Sequence, residues 1–158
     1  MRNGIREGIA LVGSVVLVTG CADALAPEAA PPTVAGEWSY AAPALSGSFE
    51  GSPVACEYGL RMTLGGVAGP TFTGSYREAL LVCDLFGAPQ LVDVGEGLVV
   101  AGSLEGRAVQ FDFDSETIRN TGTISGDDMS GQVSIQLVVQ HDRDIDTILV
   151  TGAWSASR

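Results

Sequence analysis

Val133-Ser134-Ile135-Gln136-Leu137-Val138-Val139-Gln140 sets Val133, Ile135, Leu137 and Val139 in alternation with Ser134, Gln136, Val138 and Gln140. A period of two puts one set on each face of an extended strand, so one face is apolar and the other largely polar. The same period recurs towards the amino terminus. Val109, Phe111 and Phe113 alternate with Gln110, Asp112 and Asp114, and Cys56, Tyr58, Leu60, Met62 and Leu64 with Glu57, Gly59, Arg61 and Thr63. No stretch after residue 36 sustains a helical period. Only 78–86 is ambiguous, its apolar run fitting either a helical turn or a strand buried on both faces.

Turn signals punctuate these runs at Gly65-Gly66, Gly69-Pro70, Gly87-Ala88-Pro89, Gly95-Glu96-Gly97, Glu105-Gly106, Gly126-Asp127-Asp128 and Asp142 to Asp146. Strands are therefore expected near 36–41, 55–64, 70–77, 79–85, 97–104, 107–114, 119–125, 130–140 and 146–156. Short strands joined by tight turns give an all-β, antiparallel up-and-down β-barrel of about eight to nine strands, with a sandwich as the other architecture. A barrel removes exposed edges, so the strand around Trp38 should adjoin the strand around Trp154.

Composition narrows the function. Of 158 residues, 46% are hydrophobic and 17% charged, with a net charge of −11. A chain this apolar buries a core rather than staying disordered. Every base is Arg, and none cluster, so nucleic acid is not an expected partner. There is one histidine, His141, and no GxSxG, HExxH, Walker or Rossmann pattern. No catalytic residue, metal site or cofactor is expected, and the chain does not read as an enzyme. Asp142, Asp144 and Asp146 would share one side of an extended segment and could offer oxygens to calcium. The simpler reading is a solvated hairpin tip. Asp112, Asp114 and Glu116 likewise read as a solvated outer face.

The amino terminus reads as an address. Arg2 and Arg6 precede the apolar run Ile9 to Val18, which is too short for a helical span of about 20 residues. This is the layout of a secretory signal peptide. Val18-Thr19-Gly20-Cys21 resembles the lipobox of bacterial lipoproteins. The resemblance implies cleavage after residue 20, lipidation at Cys21 and a lipid-anchored domain in the bacterial cell envelope. More than one acyl chain gives stable anchoring to a membrane. Residues 21–35, with Pro27, Pro31 and Pro32 among small residues, read as a flexible linker, and 36–158 as the folded domain.

Lipidation of Cys21 leaves Cys56 and Cys83. In an oxidising compartment such a pair tends to close, here over a loop of about 28 residues, for roughly 3 to 4 kcal/mol in the chain-entropy model. A metal or redox pair is the alternative, without a CxxC or a nearby His in the sequence to support it.

Within the body, Gly36-Glu37-Trp38 opens the first expected strand, Thr73-Gly74-Ser75-Tyr76 lies in an early one, and the chain ends at Arg158. A GxW in the first strand and an Arg late in the chain resemble the calycins, the lipocalin and avidin barrels. The resemblance implies that Trp38 closes one end of a barrel against Arg158, a cation–π contact. Avidin's Trp-rich pocket has no counterpart here, since the body holds only Trp38 and Trp154. The recurrent glycines at Gly74, Gly122, Gly131 and Gly152 read as sites where curved strands need a residue without Cβ.

Two functions follow. A barrel of this size could hold a small hydrophobic or amphipathic ligand among Trp38, Tyr58, Phe72, Tyr76, Phe111 and Phe113. Alternatively those side chains fill the lumen, and the domain serves as a structural or protein-interaction lipoprotein of the envelope. An open cavity of about 300 Å³ or more separates the two.

Overall fold

Eight antiparallel strands follow the chain: β1 (Gly36–Phe49), β2 (Ser52–Ala68), β3 (Thr71–Leu85), β4 (Ala88–Glu105), β5 (Ala108–Phe113), β6 (Ile118–Ser125), β7 (Asp128–His141) and β8 (Asp144–Ser157). The structure is a computed structural model describing residues 32–85, 87–114, 117–141 and 144–158. Each strand pairs with the next, and β8 returns to β1, closing the barrel. Closure joins Tyr40 to Ala156 and Leu45 to Gly152, so the strand around Trp38 does adjoin the strand around Trp154. The all-β up-and-down barrel expected from the alternation is the observed fold, and it is consistent with a calycin-like architecture.

The strands differ from expectation where the alternation slips. The segments 70–77 and 79–85 are one strand, β3. Glu78 adopts left-handed backbone, at φ 56°, and the register shifts between Tyr76 and Ala79. The extra residue changes which face each side chain takes without ending the pairing, as a β-bulge does. β1 continues past residue 41 for the same reason. Its register shifts between Ala42 and Leu45, around Pro43, which has no N–H to give a ladder. The two-residue loop Glu50-Gly51 then joins β1 to β2, both residues with positive φ, as the twist-matched hairpin turn requires.

Among the described residues the inward face is apolar apart from Asn120 and the tyrosine hydroxyls, and the outward face mixes Ser, Thr, Gln, Arg and Glu with exposed Leu80, Leu91, Leu98, Val138, Ile145 and Leu149. Trp38 is buried, and its Nε1–H donates to the Val34 carbonyl at 2.8 Å. The Arg158 guanidinium lies 4.7 Å from the Trp38 ring centroid. It also donates to the Ala35 carbonyl at 2.8 Å and to Asp127 Oδ1 at 2.8 Å. The last residue thus ties the segment before β1 to the β6–β7 turn, closing this end of the barrel.

Gly122 and Gly131 face each other across β6 and β7, and Gly131 pairs with Trp154 of β8. A Cβ on Gly122 would strike the Ser130 carbonyl and the Trp154 ring, and one on Gly131 the Thr121 carbonyl. The glycines expected at close approaches therefore give Trp154 its place, and its Nε1–H donates to the Gln132 carbonyl at 3.0 Å.

Cys56 and Cys83 are directly opposed on β2 and β3, with Cα atoms 4.0 Å apart, and they form a disulfide. Both face inward and are buried. Residues 1–31 lie outside the described residues, and with them the expected signal peptide, Cys21 and most of the linker.

Candidate functional site

All six lumen candidates point inward and are buried: Trp38, Tyr58, Phe72, Tyr76, Phe111 and Phe113. Strand alternation delivers each one. Phe111 and Phe113 come from β5, Tyr58 from β2, Phe72 and Tyr76 from β3. Three further residues complete the assembly: Tyr40, Trp154 and Asn120. Asn120 stands in phase with Ile118 and Ile124 on β6, and that phase was its sequence signal.

The rings interlock. Tyr40 stacks on Trp154 at 5.4 Å between centroids and meets Phe113 edge-on at 5.6 Å. Phe113 packs against Tyr76 at 5.1 Å and Phe111 at 5.5 Å. Phe111 reaches Trp154 at 5.5 Å and Phe72 at 6.2 Å. Edge-to-face contacts at these spacings suit the quadrupoles of the rings. The buried set continues in both directions, to Met62, Ile124 and Met129 beside Trp38 and to Leu45, Ile148, Leu85 and Phe49 beyond the disulfide.

A few polar groups run through this apolar filling. The Tyr40 hydroxyl donates to Asn120 Oδ1 at 2.8 Å. Asn120 Nδ2 and the Tyr58 hydroxyl are buried with no hydrogen-bond partner. Tyr76 donates to Asp114 Oδ2 at 3.4 Å, a long bond, while Asp114 Oδ1 accepts the Leu98 N–H at 2.7 Å. Burial pushes the Tyr40 phenol well above its ordinary range, with Tyr58 adding to the effect. Burial also raises Tyr58, helped by Tyr76 and Asp114, and raises Tyr76, helped by the Asp114 charge and hydrogen bond. Desolvation and a neighbouring anion both disfavour phenolate. These phenols are therefore neutral donors and do not supply a base at neutral pH.

The expectation for Asp112 needs correction, because its side chain is buried rather than solvated. Val100 of β4 and Arg119 of β6 pair with it on either side, and Arg119 Nε lies 3.8 Å from its Oδ1. Asp114 is exposed, as expected, but is engaged at the barrel mouth; Glu116 lies outside the described residues. So do Asp142 and the side chains of His141 and Asp144, which make up most of the expected acidic tip. Among the described residues no group of three or more His, Cys, Asp or Glu is placed to hold a metal.

Concavity lies at the barrel ends and on the outer wall. At one end a space of about 320 Å³ opens against Val34, Phe72 and Leu104, and at the other one of about 380 Å³ opens against Phe49, Val54 and Leu85. One groove of about 620 Å³ follows the β1 bulge, with Pro43, Ala44, Ala55, Val82 and Pro89 on its walls. A second, of about 430 Å³, lies over Trp38, Arg158 and the arginines Arg61 and Arg77. Comparison with known proteins finds no matching family model, no matching curated protein and no matching solved structure.

Proposed function

We propose that the chain is an exported, lipid-anchored interaction module: a filled barrel, without catalytic activity, that presents its outer wall to another protein of the envelope. The observation that carries this reading is the lumen. Buried side chains occupy it from Trp38 at one end to Phe49 and Leu85 at the other. Protein interiors are close-packed as a rule, so a ligand among Tyr58, Tyr76, Phe111 and Phe113 would need the core to reorganise. The Cys56–Cys83 disulfide supports export, since such bonds persist in oxidising compartments. Val18-Thr19-Gly20-Cys21 supplies the anchor in this proposal, and Trp38 against Arg158 favours a place beside the calycins.

The test is a thermal-unfolding panel with fatty acids, phospholipids and small amphipathic amines. The proposal expects no change in midpoint. A ligand that binds only the folded barrel would raise it, by about 2.7 kcal/mol in stability at a hundredfold excess over Kd.

A second reading, capture of a small carbonyl-bearing ligand in the lumen, draws on Tyr58 Oη and Asn120 Nδ2. Native interiors rarely leave buried donors unpaired. On that reading Tyr58→Phe would abolish the ligand-induced rise in midpoint.

A further inference from the structure

The outer groove beside the β1 bulge combines apolar walls with unneutralised charge. Its floor is built from two outward rows across the strands. Ser46, Ala55, Asp84 and Pro89 form one, and Glu57, Val82 and Leu91 the next. Pro43 and Ala44, pushed out by the bulge, make the rim. Leu91 and Leu80 extend the apolar surface along β3 and β4, 67% and 48% exposed. Among the described residues Glu57 and Asp84 have no ion-pair partner, and no base lines the groove. The arginines of β2 and β3 are engaged elsewhere, Arg61 with Glu78 and Arg77 with Glu37.

We propose that this groove docks a basic, apolar peptide segment of another protein, with its aliphatic side chains against Val82, Ala55 and Pro43 and its cations at Glu57 and Asp84. Charge complementarity selects that occupant. The chain's own linker carries Asp23 and Glu28 and no base between residues 21 and 35, so the groove repels it. A second copy carries a net charge of −11, so long-range repulsion opposes its approach. A purely apolar ligand would leave both carboxylates desolvated without a partner, which costs more than it returns. A cationic segment satisfies both the walls and the charges. The proposal rests on the reading of the barrel as an interaction module and names the partner's chemistry.

The experiment measures anisotropy of labelled pentapeptides against the full chain. One peptide sets two leucines between three lysines; a second replaces the lysines with glutamates; a third replaces the leucines with serines. The lysine–leucine peptide should bind saturably below about 1 mM, and the other two more weakly. Binding should weaken with added salt, because exposed charges are screened. E57Q/D84N should weaken it by about three- to tenfold, as expected for two solvent-exposed charge pairs. E105Q/D128N removes as much charge from the opposite end of the barrel and should bind as the parent does. Ala55→Arg, which plugs an exposed position with a cation, should abolish binding without lowering the thermal midpoint.

Equal binding by E57Q/D84N, or by the serine peptide, would overturn the proposal in favour of diffuse attraction. A dimer in sedimentation that Ala55→Arg dissolves would overturn it in favour of a second copy. Absence of peptide binding overturns the groove alone if the ligand panel leaves the midpoint unchanged. If a panel ligand raises the midpoint instead, the interaction reading falls with it.

Discussion

Trp38 is held from two directions: its indole donates to Val34, and Arg158 lies over its ring. Trp38→Ala should cost about 3–5 kcal/mol, as for other large core aromatics. Arg158→Ala should cost less, about 1–2 kcal/mol, through the cation–π contact and the carbonyl hydrogen bonds. Urea unfolding of both single variants and the double variant checks the coupling. Strict additivity would mean that the two residues close the barrel independently. Tyrosine chemistry offers a second residue-scale prediction. The protein has three tyrosines, and all three are inward phenols with raised pKa values. In the unfolded chain they ionise near 10. The folded state therefore keeps its protons above that pH while the unfolded state loses them. Their contribution to stability is intact below pH 10 and falls as pH rises beyond it. At pH 10 phenolate absorbance should be weaker in the native protein than in urea, where it is about half-developed. Native-state phenolate equal to that in urea, with the circular dichroism unchanged, would contradict the lumen assignment.

Among the elements, the β2–β3 pair carries both the disulfide and a bulge. The bridge joins residues 27 apart in sequence, across neighbouring strands already paired by backbone hydrogen bonds. Its main effect is on the unfolded chain, which it keeps from exploring extended states. Replacing both cysteines with alanine should lower stability by about 3–4 kcal/mol while leaving the β spectrum in place. A loss under about 1 kcal/mol in denaturant titration would show that the bridge constrains little. The bulges at Pro43–Ala44 and at Glu78 act differently. They let strands of 14 and 15 residues follow a curved wall by changing face once along their length. The outer groove is a direct consequence of the first of them.

For the whole molecule, the proposal places membrane attachment in the lipid at the amino terminus rather than in the barrel wall. The proposed anchor makes this testable. Cys21→Ser should release the domain from the membrane fraction or leave an unprocessed precursor. If the variant still fractionates as an acylated membrane protein, the lipobox resemblance has misled. The acidic surface matters at the same scale. It disfavours anionic headgroups and self-association, and it favours cationic partners through long-range attraction.

Alternation alone determined that the chain is all-β and that Cys56, Tyr58, Phe111 and Phe113 face inward; Cys83 lies in the stretch 78–86 that alternation left ambiguous, and the pairing of β2 with β3 turns it inward. Period two is a local property, written in every consecutive pair of residues. Closure of the meander then set the strand of Trp38 beside the strand of Trp154, because a closed meander must join its ends. What alternation could not supply is where the period slips, since a bulge looks in sequence like the end of one strand and the start of another. For that reason 70–77 and 79–85 look like two strands where the chain has one, and β1 runs on past residue 41. Nor could it decide which polar side chains are buried. Asp112 lies on the outward phase yet is covered by neighbours on β4 and β6, and Asn120 lies on the inward phase and is sealed by Tyr40. Burial depends on what the paired strands place alongside, and pairing across the barrel is set by register. The packed lumen and the outer groove exist only once eight registers are chosen together.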